Sequence, residues 1–74
     1  MKAFTLVGVD GNAFSVMGYT ARALKTAGLC DKVDEMHSKA TSSDYNNLLC
    51  VCMEYVDMAN KALEEQGYEL EEED

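Results

Sequence analysis

The stretch of sequence that decides the fold runs from Asp44 to Glu65 and reads DYNNLLCVCMEYVDMANKALEE. Its apolar residues recur every three or four positions, which predicts one long amphipathic helix that begins at Asp44. The main apolar stripe consists of Tyr45, Leu48, Leu49, Cys52, Val56, Ala59 and Leu63. A second stripe consists of Val51, Tyr55, Met58 and Ala62, so roughly half of the helix surface is apolar. We expect the second stripe to be covered by the N-terminal segment, to bind a partner, or to do both.

The residues before the first turn, 2–9, read KAFTLVGV and predict a β-strand. Phe4 and Leu6 would share one face, and both faces of the strand would be mostly apolar. A lone strand cannot satisfy its own backbone hydrogen bonds. We therefore expect a homodimer, either by antiparallel pairing of residues 3–8 or through the second stripe of the long helix. A short C-terminal strand at residues 68–70 would instead pair with the first strand inside one chain.

Two further helices are predicted before the long one. The first covers residues 13–27 and ends at Gly28, and Gly18 near its middle suggests close approach by another backbone. Its expected buried stripe is Phe14, Met17, Ala21 and Leu24. The second covers residues 32–40, with Asp31 as its N-cap. Its narrow apolar seam consists of Val33, Met36 and Ala40.

The expected fold class is α+β and mainly helical. One N-terminal strand is followed by three helices, a possible short C-terminal strand and a disordered acidic tail. Residues 1–66 are expected to form a single small domain and residues 67–74 the tail. A chain of 74 residues has a small core, so oligomerisation is one common way to stabilise it.

The net charge of −8 is placed unevenly along the chain. All 6 bases and half of the 14 acids lie in residues 1–63, and the other acids lie in residues 64–74. A chain without a basic surface is poorly suited to bind nucleic acid directly or to bind an anionic membrane. The acidic tail either keeps the protein soluble or imitates nucleic acid toward a basic protein surface. Its candidate residues are Glu69, Glu71, Glu72, Glu73 and Asp74.

The sequence offers no set of residues for catalysis, a cofactor or a metal ion. His37 is the single histidine and is expected on a short surface helix, away from any nucleophile that it could activate. Cys50 and Cys52 would point about 200° apart on a helix, so they could not share a metal ion. With Cys30 they make an odd number of thiols, typical of reduced cysteines. We therefore expect a cytoplasmic protein without enzyme activity, cofactor, leader or membrane span.

The turn between the predicted strand and the first helix allows a different function. Gly8, Gly11 and Asn12 could present free backbone amides at a helix N-terminus, and such amides can bind an anion. The turn lacks the spacing of a dinucleotide-binding motif or a P-loop, and Asp10 would repel a phosphate. A structural turn is the simpler interpretation, and binding of a nucleotide-like anion is the alternative.

Two segments of the chain, LVGVDGNAF at residues 6–14 and SDYNNLL at residues 43–49, resemble parts of a group of phage-related proteins. The group consists of short uncharacterised acidic proteins of bacteriophages and mobile elements of gut Firmicutes. The similarity covers most of the chain outside the acidic tail and gives no site residue. It implies a setting in which small acidic proteins bind a host or phage protein, and in which some block nucleic-acid-binding proteins with carboxylates.

These features predict a non-enzymatic protein–protein interaction module that acts as a small regulator or inhibitor. The expected partner is a second copy of the chain or another protein. The expected interface residues are Phe4, Leu6, Val51, Tyr55 and Met58. Two other functions stay open: binding of a nucleotide-like anion at the turn of residues 8–12, and nucleic-acid mimicry by the acidic tail.

Overall fold

The computed structural model describes residues 1–71, in which the chain forms three α-helices joined by short connections. Helix α1 spans Ala13–Thr26, α2 spans Val33–Ala40 and α3 spans Tyr45–Glu65. A single 3₁₀ turn at Cys30–Lys32 leads into α2. The three helices pack against one another around one core. The prediction of a mainly helical chain with a long third helix is confirmed.

The prediction of an N-terminal strand at residues 2–9 is wrong, because the described part of the chain contains no β-strand. What forms instead is an isolated parallel bridge between Lys2 and Glu71, in which the Ala3 N–H donates to the Glu71 carbonyl over 2.9 Å. At the next two residues, Phe4 and Thr5, the backbone N–H groups donate to side chains instead of to a second strand, so the bridge does not extend into a ladder. The α+β class is therefore corrected to a helical fold preceded by an N-terminal segment, residues 1–9, that is not a strand.

The N-terminal segment ends in a tight turn, which also limits how far an extended structure can run. The Val9 N–H donates to the Leu6 carbonyl over 3.1 Å, and Gly8 has a φ of +84° that residues with a side chain rarely adopt. Val7 lies within this turn and is 83% exposed. Helix α1 follows directly, capped by the side chain of Asn12.

The core lies where the three helices meet, and it differs from the predicted stripes near the start of α1 and of α3. Tyr45, predicted in the main stripe of α3, is 43% exposed. The buried stripe expected for α1 is wrong at Phe14, which is 82% exposed. Thr20 is buried in that stripe because its hydroxyl donates to the Val16 carbonyl over 2.9 Å, which satisfies the polar group inside the helix. The stripe of α1 is therefore rotated toward Val16 and Thr20. The other buried core residues are Met17, Ala23, Leu24, Ala27, Met36, Ala40, Leu48, Cys52, Tyr55, Val56, Ala59 and Leu63.

Helices α1 and α3 end in the same way, at a glycine with positive φ. Gly28 has a φ of +79°, and the N–H of the following Leu29 donates to the Leu24 carbonyl over 2.8 Å. This is the Schellman motif, which satisfies carbonyl groups left free at the end of a helix. Gly67, with a φ of +99°, forms the same motif after α3. The predicted end of the first helix at Gly28 is confirmed.

Two local expectations are wrong. Asp31 is not the N-cap of α2, because it lies inside the 3₁₀ turn and Lys32 occupies the position before the helix without a side-chain cap. The expected close approach of a backbone to Gly18 is also absent, since a Cβ atom added there would meet nothing within 4 Å. Gly18 therefore lowers the helical propensity of α1 without gaining a close contact.

After α3 the chain returns to the N-terminal segment. Residues 68–70 do not form the possible C-terminal strand, and Leu70 is half-buried against the core. The pairing occurs one residue later, at Glu71. The expected disorder of the acidic tail concerns Glu72, Glu73 and Asp74, which lie outside the described residues. Nucleic-acid mimicry by the tail stays a prediction.

Candidate interaction surface

Side chains of two helices fix the N-terminal segment. Asn60 of α3 accepts a hydrogen bond from the Phe4 N–H over 2.9 Å and donates one from Nδ2 to the Phe4 carbonyl over 2.8 Å. The hydroxyl of Tyr19 in α1 accepts a hydrogen bond from the Thr5 N–H over 2.8 Å. These bonds satisfy backbone groups that would otherwise need a neighbouring strand. The hydrogen bonds that a lone strand would lack are thus supplied within the chain at both backbone groups of Phe4 and at the Thr5 N–H.

Aromatic contacts strengthen the same attachment. The rings of Phe4 and Tyr19 meet edge to face, with centroids 5.8 Å apart and an interplanar angle of 74°. The guanidinium of Arg22 lies 5.6 Å from the centroid of the Tyr19 ring, within the range of a cation–π contact. Leu6 also packs, partly buried, against the core. The N-terminal segment is therefore a fixed wall of the fold between α1 and α3.

A concave surface, here called the apolar groove, opens between the N-terminal segment and α3 with a volume of about 330 Å³. Val7 and Met53 line it and are 83% and 57% exposed. Asp57 supplies the one charged group of the lining. Exposed apolar side chains that share a concave surface are typical of binding sites. The complete lining is Phe4, Thr5, Leu6, Val7, Met53, Val56 and Asp57.

A second concave surface, here called the acidic cavity, adjoins the apolar groove and also measures about 330 Å³. Asp57 lines both surfaces, so they are neighbours along α3. The acidic cavity is lined by Ala3, Asp57, Asn60, Lys61, Glu64 and Leu70. Because Leu70 lines this cavity and the Glu71 carbonyl accepts a hydrogen bond from the Ala3 N–H, residues 70–71 run beside it.

The structure places two of the five expected interface residues in the apolar groove and three outside it. Phe4 and Leu6 belong to the lining, whereas Val51, Tyr55 and Met58 do not. Tyr55 is 2% exposed and Val51 is half-buried, while Met58 is 38% exposed. The second stripe of α3 is therefore partly covered within the chain. The role of these five residues in binding a partner stays a prediction.

Helix α2, rather than the N-terminal segment, supplies the polar contacts of Tyr55. The Tyr55 hydroxyl donates to Oε2 of Glu35 over 2.5 Å, and Nζ of Lys39 lies 5.7 Å from the ring centroid. Burial, together with the hydrogen bond to Glu35, raises the pKa of Tyr55. The same hydrogen bond lowers the pKa of Glu35. This cluster joins α2 to α3 and keeps the phenol neutral.

Amide groups at the start of α1 are bonded within the chain, at the turn proposed for anion binding. The carboxylate of Asp10 accepts a hydrogen bond from the Asn12 N–H over 3.0 Å. The side chain of Asn12 accepts one from the Phe14 N–H over 2.9 Å. An external anion would have to displace Asp10, while Gly8 serves the preceding turn through its positive φ. The Gly11 carbonyl accepts a hydrogen bond from the Tyr45 hydroxyl. These contacts favour the structural interpretation of Gly8, Gly11 and Asn12, and anion binding stays a prediction.

Cysteine and histidine side chains are candidates for metal binding and other chemistry. Residues 1–71 contain no group of three or more His, Cys, Asp or Glu side chains placed to hold a metal ion. Cys30 and Cys50 are exposed, whereas Cys52 is buried, and its burial raises the pKa of that thiol. His37 is exposed on α2. No helix in the described part of the chain is long and apolar enough to span a membrane.

Four residues that build this surface were not predicted from the sequence. Asn60 and Tyr19 attach the N-terminal segment, and Val7 and Met53 are the exposed apolar residues of the groove. A signal for Asn60 was present, because it lies one helical turn after Val56 and therefore beside the apolar stripe. A polar residue at such a position often has a buried hydrogen-bond partner.

No family model, no curated protein and no solved structure matches the chain. The resemblance to phage and mobile-element proteins therefore stays a prediction. Support for a function comes from the contacts described above, and above all from the apolar groove and its fixed wall.

Proposed function

We propose that this chain is a non-enzymatic protein-interaction module that binds another protein through the apolar groove. The observation behind the proposal is that Val7 and Met53, both largely exposed, line one groove whose wall is fixed by Asn60 and Tyr19. A preformed groove binds without the entropic cost of ordering its walls. A small regulator or inhibitor, encoded by a phage or mobile element and acting in the cytoplasm, would work by covering a surface of its partner.

A second copy of the chain is the main rival for the groove. Pairing through residues 3–8 would compete with the bonds that Phe4 and Thr5 already make to side chains. A second copy would also bring its own carboxylates toward Asp57 and Glu64, and like charges repel. Both features favour a different protein as the occupant. The homodimer remains a separate prediction that a solution mass decides.

The test compares partner capture by the wild type, a groove variant and a control variant. The groove variant combines Val7→Glu with Met53→Glu, which places charges among the apolar side chains. The control is Phe14→Glu, which alters an equally exposed apolar residue outside the groove lining. Because all three residues are largely exposed, each variant should change the free energy of unfolding by no more than about 0.5 kcal/mol. Light scattering first gives the solution mass of each form.

Capture is made from cells that naturally contain the protein, and the captured protein is then purified and titrated by calorimetry. The proposal is supported by a partner that binds the wild type and the Phe14→Glu control but not the groove variant. Equal binding to all three forms would exclude the apolar groove as the site. A wild-type dimer that the groove variant dissociates would assign the groove to a second copy and would overturn the proposal of a different protein.

A further inference from the structure

The apolar groove and the acidic cavity form one elongated surface along α3, since Asp57 lines both. Met53 lies in the groove and Glu64 in the cavity. They are separated by about three turns of α3, or roughly 16 Å at about 1.5 Å per residue. The elongated surface is therefore apolar at the end where Met53 lies and charged at the end where Glu64 lies.

Carboxylates dominate the charged end. Asp57 and Glu64 line the acidic cavity with Lys61 as the single basic residue. No Lys or Arg follows Lys61 in the sequence, whereas seven acids do. The backbone of Glu71 is bonded to Ala3, which itself lines the cavity. The Met1 ammonium, which donates to the Glu69 carbonyl, and Lys2, which is bridged to Glu71, add positive charge beside the cavity. The acids Asp57, Glu64, Glu69 and Glu71 still outnumber these two groups and Lys61, so the local potential should attract Lys and Arg side chains and repel phosphates.

The wall of the groove also restricts the backbone conformation of a ligand. A ligand that adds a β-strand needs free N–H and C=O groups along an exposed edge. The N–H groups of Ala3, Phe4 and Thr5 are already bonded within the chain, as is the Phe4 carbonyl. A helical ligand has no such need, because its backbone hydrogen bonds are internal and only its side chains enter the groove.

We infer that the partner segment bound here is a cationic amphipathic helix. Its apolar anchor packs against Met53 and Val7, and its Lys or Arg side chains lie one to three turns further on, opposite Asp57 and Glu64. This inference rests on the proposed function and adds the chemistry of the partner to it. It also gives a reason for the excess of acids after α3, which would attract the cationic end of the helix.

The test uses a designed helical peptide of about 16 residues, long enough for the surface, with leucines at one end and lysines along the rest of the same face. Its matched twin has glutamine in place of every lysine. Cys50 is exposed and lies one turn before Met53, so a fluorinated label there reports on the groove. The same label on Cys30, which is exposed on the 3₁₀ turn, serves as the control. In each labelled form the other exposed cysteine is replaced by serine.

The lysine peptide should shift the label on Cys50 and bind at least about tenfold more tightly than the glutamine peptide at low salt. Added salt should reduce this ratio, because it screens exposed charges. Asp57→Asn combined with Glu64→Gln should bring the two affinities together. Asp31→Asn combined with Asp34→Asn, which removes two exposed acids outside both linings, should leave the ratio unchanged.

Equal affinities for the two peptides would overturn the inference about charge. If the double variant Val7→Glu with Met53→Glu still lowered the affinity for both peptides, the proposed function would stand without the inference about charge. A response at the Cys30 label alone, or none from either peptide, would overturn the inference about the helix. In that case the capture experiment judges the proposed function separately, because it depends on no designed peptide.

Discussion

The side-chain amide of Asn60 forms both backbone hydrogen bonds of Phe4, accepting from its N–H over 2.9 Å and donating to its carbonyl over 2.8 Å. A carboxamide has the same donor and acceptor as a peptide group, so Asn60 takes the place of one residue of a neighbouring strand. The two residues are 56 positions apart, so this pair joins the N-terminal segment to the far half of α3. It therefore positions one wall of the apolar groove.

Loss of the Asn60 amide should destabilise the protein. Asn60→Ala leaves the partly buried N–H and C=O of Phe4 without their partner, which should lower the free energy of unfolding by about 1–3 kcal/mol. Asn46→Ala is the matched control, because it makes the same change at an exposed position of the same helix. It should stay within about 0.5 kcal/mol of the wild type or stabilise slightly, since alanine favours helix. Urea unfolding followed by circular dichroism measures both.

The Tyr19 hydroxyl gives a second probe of the same attachment. Tyr19→Phe keeps the ring against Phe4 and removes the acceptor of the Thr5 N–H. Because Asn60 and Tyr19 hold adjacent residues, the double variant with Asn60→Ala should depart from additivity by more than about 0.5 kcal/mol. Additive effects, or an Asn60→Ala variant as stable as the Asn46→Ala control, would mean that the segment is held chiefly by apolar packing.

Two glycines should respond in opposite directions to the same substitution. Gly18 is exposed inside α1 and has nothing within 4 Å of an added Cβ, so Gly18→Ala should stabilise the protein by about 0.5–1 kcal/mol. Gly28 has equally open surroundings but a φ of +79°, so Gly28→Ala should destabilise it by about 1–2 kcal/mol. The two variants control for each other, because only the backbone conformation separates them. Effects of the same sign in thermal unfolding would contradict this account.

The helices could be predicted from the sequence because their signals are local. The apolar spacing of α3, the cap at Asp44 and the glycine after α1 each depend on a few neighbouring residues. The orientation of α1 is different, since it depends on which neighbour covers it. Phe14 matched the predicted stripe and is exposed, whereas Thr20 is buried because it bonds to the carbonyl of Val16. A pattern of residue types does not contain that hydrogen bond.

The candidate surface could be predicted only in part, because it depends on contacts between distant residues. Phe4 and Leu6 were predicted as interface residues on a strand, and they line the groove as part of a segment without a strand. The composition of residues 2–9 favours a strand, but residues 6–9 form a turn and only Lys2 among these residues makes a β-bridge. The N-terminal segment lacks a partner strand, and the side chains of Asn60 and Tyr19 take the role of that partner. No periodic pattern in the sequence predicts that side chains will bond to a backbone segment in place of a strand.

The folded protein should lose stability at alkaline pH. Burial and the hydrogen bond to Glu35 raise the pKa of Tyr55 above its ordinary 10.0, and burial raises the pKa of Cys52 above its ordinary 9.0. Above these ordinary values the unfolded chain releases protons that the folded chain keeps. The free energy of unfolding should therefore be level near neutral pH and fall as pH rises through 9.0 and 10.0, by at most about 1.4 kcal/mol per pH unit and group.

Lys39 contributes in the same direction, because nearby Tyr55 and Glu35 raise its pKa and stabilise its charged form in the folded state. Urea unfolding between neutral pH and pH 10.5, in the presence of a reductant, measures the slope. Tyr55→Phe removes the phenol and should flatten the part of the curve above pH 10.0. Tyr68→Phe changes an exposed tyrosine and should leave the slope as it is in the wild type. If both variants kept the wild-type slope, ionisation of the Tyr55 phenol would not be the cause of the fall in the free energy of unfolding above pH 10.0.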